Sequence, residues 1–263
     1  MMIVDSHVHA GKHWFEPVET LRYQMKTNGV SKAVLIPYAG NTDNGYELEC
    51  MRKYTGTLKA VVQVDSKNPD APAILGKLAG EGAAGVRLRP YEPSPGPDPF
   101  MLWRKAEELG LAVSTHGSIE MFADAGFAQM VARLPGLKIV LEHLGGAAKT
   151  VAFPKPAYEL FEKVLALAKY PNVYIKIPGF GELLPRPFPF SVPAFEGPPP
   201  ILKKVYDAFG SRRMMWGSDF PPCAAREGYT NCLQFPMEKV PFFSQEDKEW
   251  IFGKTALSVW DKP

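Results

Sequence analysis

Short apolar, β-branched runs alternate along this chain with stretches whose apolar residues fall three and four positions apart, and the alternation repeats eight times. The strand-like runs cover residues 2–7, 33–37, 58–64, 85–89, 112–115, 138–142, 173–177 and 214–216. Each is followed by a polar or Gly/Pro turn and then a helical period, such as Val18, Leu21 and Met25, or Ile74, Leu75 and Leu78. Further helical periods run through Phe127, Met130, Val131 and Leu134, and through Leu160, Phe161, Val164, Leu165 and Leu167. Several strands, such as Ala33-Val34-Leu35-Ile36, are apolar throughout, as expected of a parallel sheet covered on both sides. Eight βα units predict one (β/α)8 barrel, a TIM barrel, spanning 1–263 as a single domain. A doubly wound open sheet is disfavoured, since no G-x-G-x-x-G follows the first strand.

Two segments break the rhythm. Residues 90–99 follow the fourth strand, and residues 178–200, with eight prolines, follow the seventh. Both are βα loops on the face where barrel enzymes build their sites, and proline there reduces the entropy lost when a loop is ordered. The chain of 263 residues holds 23 glycines and 26 prolines, and these loops account for many of the prolines.

Charge adds exclusions. The formal net charge is +2 with no long Lys/Arg run, so neither nucleic acid nor an anionic membrane surface is an expected partner. No stretch of 18 apolar residues occurs, and the opening Met1-Met2-Ile3-Val4-Asp5 meets a charge too early for a signal peptide. A cytoplasmic location is expected. Cys50, Cys223 and Cys232 are odd in number and match no zinc-finger spacing, which predicts free thiols rather than a disulfide framework.

The histidines point to chemistry. Of His7, His9, His13, His116 and His143, all but His13 fall at the C-terminal end of a predicted strand, and Asp219 follows the eighth. Residues two apart on a strand share a face, so His7 and His9 project together toward the barrel axis. His116 from across the barrel adds a third imidazole, and Asp219 adds a carboxylate. Three such nitrogens, a carboxylate and one water form a set that lowers the pKa of the water. His13 reads as a loop residue or a residue of the mouth.

The motifs D-S-H-V-H, S-T-H-G, L-E-H-L-G-G and W-G-S-D-F-P, in this order and spacing, resemble the first-, fifth-, sixth- and eighth-strand motifs of the amidohydrolase superfamily, within it the amidohydrolase-related group. The resemblance runs over essentially the whole chain. It implies a distorted barrel with one divalent ion at most, zinc being the first choice, because the fourth strand carries no lysine for a two-metal site. It also implies His7, His9 and His116 as metal ligands, Asp219 as ligand or general base, and His143 as the residue that orients water or polarises the carbonyl. Lactonases of the group that work without metal leave a metal-free mechanism open.

Arg87 and Arg89 alternate with apolar neighbours, so they share a strand face and suit a carboxylate of a small anionic substrate. Ion pairing with a loop acid such as Asp65 or Asp98 is the structural alternative. Lys176 reads as a structural lysine paired with an acid, while Arg186 and Arg226 read as loop arginines. Trp14, Phe15, Tyr38, Tyr91, Phe180, Phe188 and Phe190 lie just past strand ends and predict an aromatic mouth. The leading expectation is lactone hydrolysis by water activated at Asp219. Non-oxidative decarboxylation or hydration of an unsaturated or aromatic acid is the alternative, followed by an inactive ligand-binding barrel. A homo-oligomer is compatible with all three.

Overall fold

The computed structural model describes residues 1–90, 92–148, 158–184 and 197–261. Eight parallel strands follow one another in space in chain order: β1 (Ile3–Val8), β2 (Val30–Leu35), β3 (Leu58–Val62), β4 (Gly85–Leu88), β5 (Ala112–Thr115), β6 (Ile139–Leu141), β7 (Val173–Ile177) and β8 (Met214–Trp216). A bridge between Val8 and Phe220 ties the eighth unit back to the first, with Asp219 N donating to His7 O at 2.9 Å and His9 N donating to Phe220 O at 2.8 Å. This is the expected (β/α)8 barrel. Three strands coincide with the expected runs, while β2 begins three residues before Ala33. Its first turn of sequence, Val30-Ser31-Lys32, is too polar to read as core, but the Lys32 ammonium lies 2.6 Å from Asp261.

The helices that matter for the site are α1 (Val18–Thr27), α2 (Gly45–Lys53), α3 (Ala71–Gly80), α4 (Met101–Glu108), α5 (Ile119–Ala123), α6 (Ala125–Ala132), α7 (Tyr158–Leu165), α8 (Phe180–Leu183), α9 (Pro200–Phe209), α10 (Tyr229–Glu238), α11 (Gln245–Glu249) and α12 (Thr255–Trp260). Val18, Leu21 and Met25 of α1 are buried as their spacing predicts, whereas Ile74 of α3 is exposed and Leu75 faces the core. Residues on the outer faces of the strands, such as Leu35, Val62, Val86, Val113 and Ile175, join these helices in one apolar shell. No helix among the described residues is long and apolar enough to cross a membrane. All three cysteines are buried and free.

The inside of the barrel is layered. Val4, Val34, Val61, Ala84, Ala112, Val140 and Met215 form an apolar floor with Ala256, Val259 and Trp260 of α12. Gly85 is required here, because a Cβ would stand 2.7 Å from the Trp260 ring. One step toward the strand C-termini, Arg87, Ser114, Glu142 and Lys176 replace the apolar residues and are all buried. The period of two thus puts the chemistry directly above a dry floor. In β1 the pairing with β2 slips between Asp5 and Val8, an extra residue that lets both Val4 and His7 serve the interior.

Candidate functional site

His7 and His9 share a face as expected, their rings 5.0 Å apart and edge to face. Gly217, just past β8, permits this placement, because a Cβ there would meet the His7 Cβ at 2.6 Å. His9 Nδ1 donates to Ile36 O at 2.7 Å, which turns its Nε2 toward Asp219 Oδ1 at 3.3 Å. His7 Nε2 lies 3.9 Å from the same oxygen, is buried, and has no hydrogen-bond partner among the described residues. His143 packs against His7 with ring centroids 5.0 Å apart. His143 and Asp219 both have positive φ, 49° and 55°, a strained backbone for such residues that a site at strand ends accounts for.

The donor atoms sort into two groups whose members lie within 4.8 Å of one another: His7, His143 and Asp219, and His116, Glu142 and His143. His116 therefore does not close on the same point as His7. Its Nδ1 stands 3.6 Å from Glu142 Oε2 at a partly open position. The orphaned, buried Nε2 of His7 beside a carboxylate and a second imidazole suits a divalent cation in donor type. Lys176 sets a condition on this fit. Its ammonium donates to His7 Nδ1 at 2.9 Å, so a charged Lys176 leaves the His7 proton on Nε2, where a ligand needs a lone pair. Burial, only partly offset by Glu142, brings the Lys176 pKa down to about 8, which eases loss of that proton.

A continuous polar chain crosses the barrel beneath the imidazoles. Lys176 also donates to Ser114 Oγ at 2.9 Å, Ser114 donates to Glu142 Oε1 at 2.6 Å, and Arg87 grips Glu142 through Nε at 3.2 Å and Nη2 at 2.6 Å. Burial would raise the Glu142 pKa, but Arg87 and then Lys176 outweigh it and hold the carboxyl well below the ordinary range. Arg87 Nη1 donates to Pro37 O, just past β2, at 2.6 Å, and its fork is taken up by Glu142, just past β6. Neither Asp65 nor Asp98 meets it, and Asp98 instead pairs with Arg104. Arg89 reaches the mouth, half exposed and 3.6 Å from Glu92, where it lines a cleft of about 160 Å³ with Gln63, Arg87 and His116. The two arginines share a face as their spacing predicts, but Arg89 alone has an open guanidinium.

Behind His143 and Asp219 stands a second cluster. His143 Nδ1 contacts Glu182 Oε1 at 2.7 Å, and Arg226 Nη1 spans Glu182 Oε2 at 3.4 Å and Asp219 Oδ2 at 3.3 Å. Burial by itself would lower the His143 pKa, but Glu182, with Asp219 and Glu142 beyond it, more than offsets this and holds it above its ordinary value. Burial pushes Asp219 up, yet the His9 contact and the charge of His143 hold it below its ordinary value. His116 is pushed down to about 4 by burial, against the pull of Glu142. His7 is held down by burial and then by Lys176. A space of about 10 Å³, room for about one water, is enclosed by His7, His143, Lys176, Gly217 and Asp219 together with Ile177 and Pro178.

Glu142, Glu182 and Lys176 are the site residues that pattern reading passes over or misjudges. Lys176 is bound to His7 and Ser114 rather than directly to an acid, and Arg226 is a bridge rather than a solvated loop residue. Phe15 stacks on His9 at 4.9 Å and Tyr38 packs on Phe15, whereas Phe180 is fully buried in the core and is not part of the mouth. Tyr91, Arg186, Phe188 and Phe190, and most of 178–200, lie outside the described residues.

Residues 5–262 match the family model described as Amidohydrolase. The chain belongs to the amidohydrolase family. The amidohydrolase is 27% identical over 204 residues to an L-fucono-1,5-lactonase of Burkholderia ambifaria, covering 74% of this chain and 66% of that protein, so it spans just under two thirds of the relative's length. A solved structure from Pseudomonas putida carrying the name 2-pyrone-4,6-dicarboxylic acid hydrolase superposes with TM-score 0.75 at 23% identity, covering 99% of this chain and 97% of that one. An amidohydrolase from Burkholderia multivorans with bound zinc superposes with TM-score 0.77 at 17% identity over the full length of both chains. At these identities the two structures speak for the fold.

Proposed function

We propose that this amidohydrolase opens a lactone, the cyclic ester of a small carboxylic acid, with water activated at Asp219. The observation that carries this reading is the pair flanking the one-water space: Asp219 pushed below its ordinary pKa and His143 pushed above its own, two titratable groups shifted in opposite directions. The lactonase relative supports the same reaction. Asp219 takes a proton from water as its oxygen attacks the ring carbonyl. The ring C–O bond then breaks, the departing alkoxide receives a proton from His143, and the product is a hydroxy carboxylate. Glu182 favours the charged form of His143, and Arg226 bridges Asp219 and Glu182 and so orients both.

One divalent ion, zinc by preference, would be held by His7 and Asp219 with His9 alongside, which leaves the free nitrogen of His143 to carry the proton, and His116 belongs to the neighbouring donor group. Bound there, it would polarise the carbonyl and lower the pKa of water. Elemental analysis of protein purified without chelator should find about one zinc per chain, and its removal should lower Tm as well as activity, since a bound ion stabilises the folded state by mass action. A metal-free preparation with undiminished turnover would assign the carbonyl to the imidazoles alone.

Arg89 suits a carboxylate on the substrate at the open end of the cleft. Arg89→Met should raise KM for an anionic lactone about tenfold with kcat nearly unchanged, the signature of lost uniform binding. An unchanged KM would remove Arg89 from substrate recognition. The reaction is tested on a panel of sugar lactones and pyrones beside aromatic carboxylic acids: ring opening with no release of carbon dioxide supports hydrolysis, and the converse supports decarboxylation.

A further inference from the structure

A larger cavity, about 430 Å³, opens beside the site between the loops that follow β1 and β2 and the start of α2. Trp14, Tyr38 and Tyr46 give it aromatic walls, and Asp43, Glu47 and Glu49 give it carboxylates. Phe15 is stacked on His9 and packed on Tyr38, which lines the cavity. His13 lies on its lining, which gives this histidine a mouth position.

Glu47 is the unusual member. It is 3% exposed, and its Oε2 has no hydrogen-bond partner among the described residues. The nearby cations are engaged elsewhere: Lys12 lies 3.2 Å from Glu49 and Arg52 lies 3.7 Å from Glu81. Asp43 accepts from Gly45 N at 3.0 Å, and no ion pair to Asp43 or Glu47 occurs among the described residues. Burial, with the charge of Asp43 adding to it, raises the Glu47 pKa to about 7. A buried carboxylate without a counter-ion is costly, and a cation entering the cavity would offset that cost. The rim already shows the mode of contact. The Lys12 ammonium sits 5.3 Å from the centre of the Tyr46 ring while pairing with Glu49.

We propose that this cavity is a binding site for a small organic cation, an ammonium carried on a flat apolar body, with Glu47 as its counter-ion and Trp14 and Tyr38 against its apolar face. The site is separate from the lactone chemistry and stands whether or not that reading holds. Uncharged polyols fit it less well, because they leave the charge of Glu47 uncompensated.

Calorimetry at pH 8, where Glu47 is ionised, compares benzylammonium with its neutral counterpart benzyl alcohol. The ammonium should bind about tenfold or more tightly than the alcohol. Glu47→Gln should erase the preference, and Trp14→Ala, a change at an exposed side chain, should weaken both ligands about threefold. Asp219→Asn should leave the preference intact. Equal affinities in the wild-type protein would overturn the proposal, as would a neutral polyol such as xylitol binding as well as the amine. Loss of the preference in Asp219→Asn would place the amine in the hydrolytic site and overturn it too. Should Glu47→Gln fail to fold, the wild-type comparison and the Trp14 and Asp219 variants decide the matter.

Discussion

Asp219→Asn lowers kcat for the lactone by about a thousandfold and leaves KM within about a factor of three, the size expected when a general base is lost and binding is kept. The amide is nearly isosteric, and its oxygen still accepts from Arg226 Nη1, now 3.3 Å from Oδ2, so the strained turn and the contacts around it have no reason to reorganise. What is lost is the ability to take a proton beside the space, large enough for about one water, that His7, His143 and Lys176 line with Asp219. Steady-state kinetics on the folded variant checks this. Turnover within a few fold of wild type would remove Asp219 from the role of base, whereas loss of folding would show as a drop in Tm.

Glu142→Ala has its largest effect on stability. Glu142 is the buried acceptor of Arg87 and Ser114, and Lys176 is bonded to that serine, so its removal leaves two cations buried without their counter-charge. Breaking one partner out of a buried pair costs about 3–5 kcal/mol, which for a chain of this size corresponds to roughly 10 °C in Tm. The exposed pair of Lys203 and Asp207, 2.5 Å apart on α9, provides the control, because solvent screens it and its loss should move Tm little. A thermal melt of both variants separates the cases. Similar small shifts would mean that the Arg87, Glu142, Lys176 layer is hydrated and structurally dispensable.

The barrel was legible because eight strand-like runs alternate with helical periods, and several of those runs are apolar throughout, as a parallel strand covered on both sides is. The histidines were legible because strand periodicity puts positions two apart on one face. What escaped has a common cause. Glu142 and Lys176 are charged residues on the inner faces of β-units, and a linear pattern does not say which acid stands opposite which base across a barrel. Arg87 and Arg89 look equivalent on their strand, but Arg87 lies one layer deeper, level with Glu142, while Arg89 stands at the rim. Glu182 lies 39 residues after His143 on a helix of four residues, too short to leave a periodic signal. The division of the histidines was likewise hidden. Position at a strand end predicts convergence, but the pairing of His116 with Glu142 depends on the layer beneath.

Lactone opening at this site requires water to attack the ring carbonyl beside Asp219. The direct measurement is turnover of the most active lactone in ¹⁸O-labelled water, with the product read by mass spectrometry. One labelled oxygen in the new carboxylate and none in the released hydroxyl is the predicted result. Unlabelled product, or activity confined to aromatic acids with release of carbon dioxide, would contradict it.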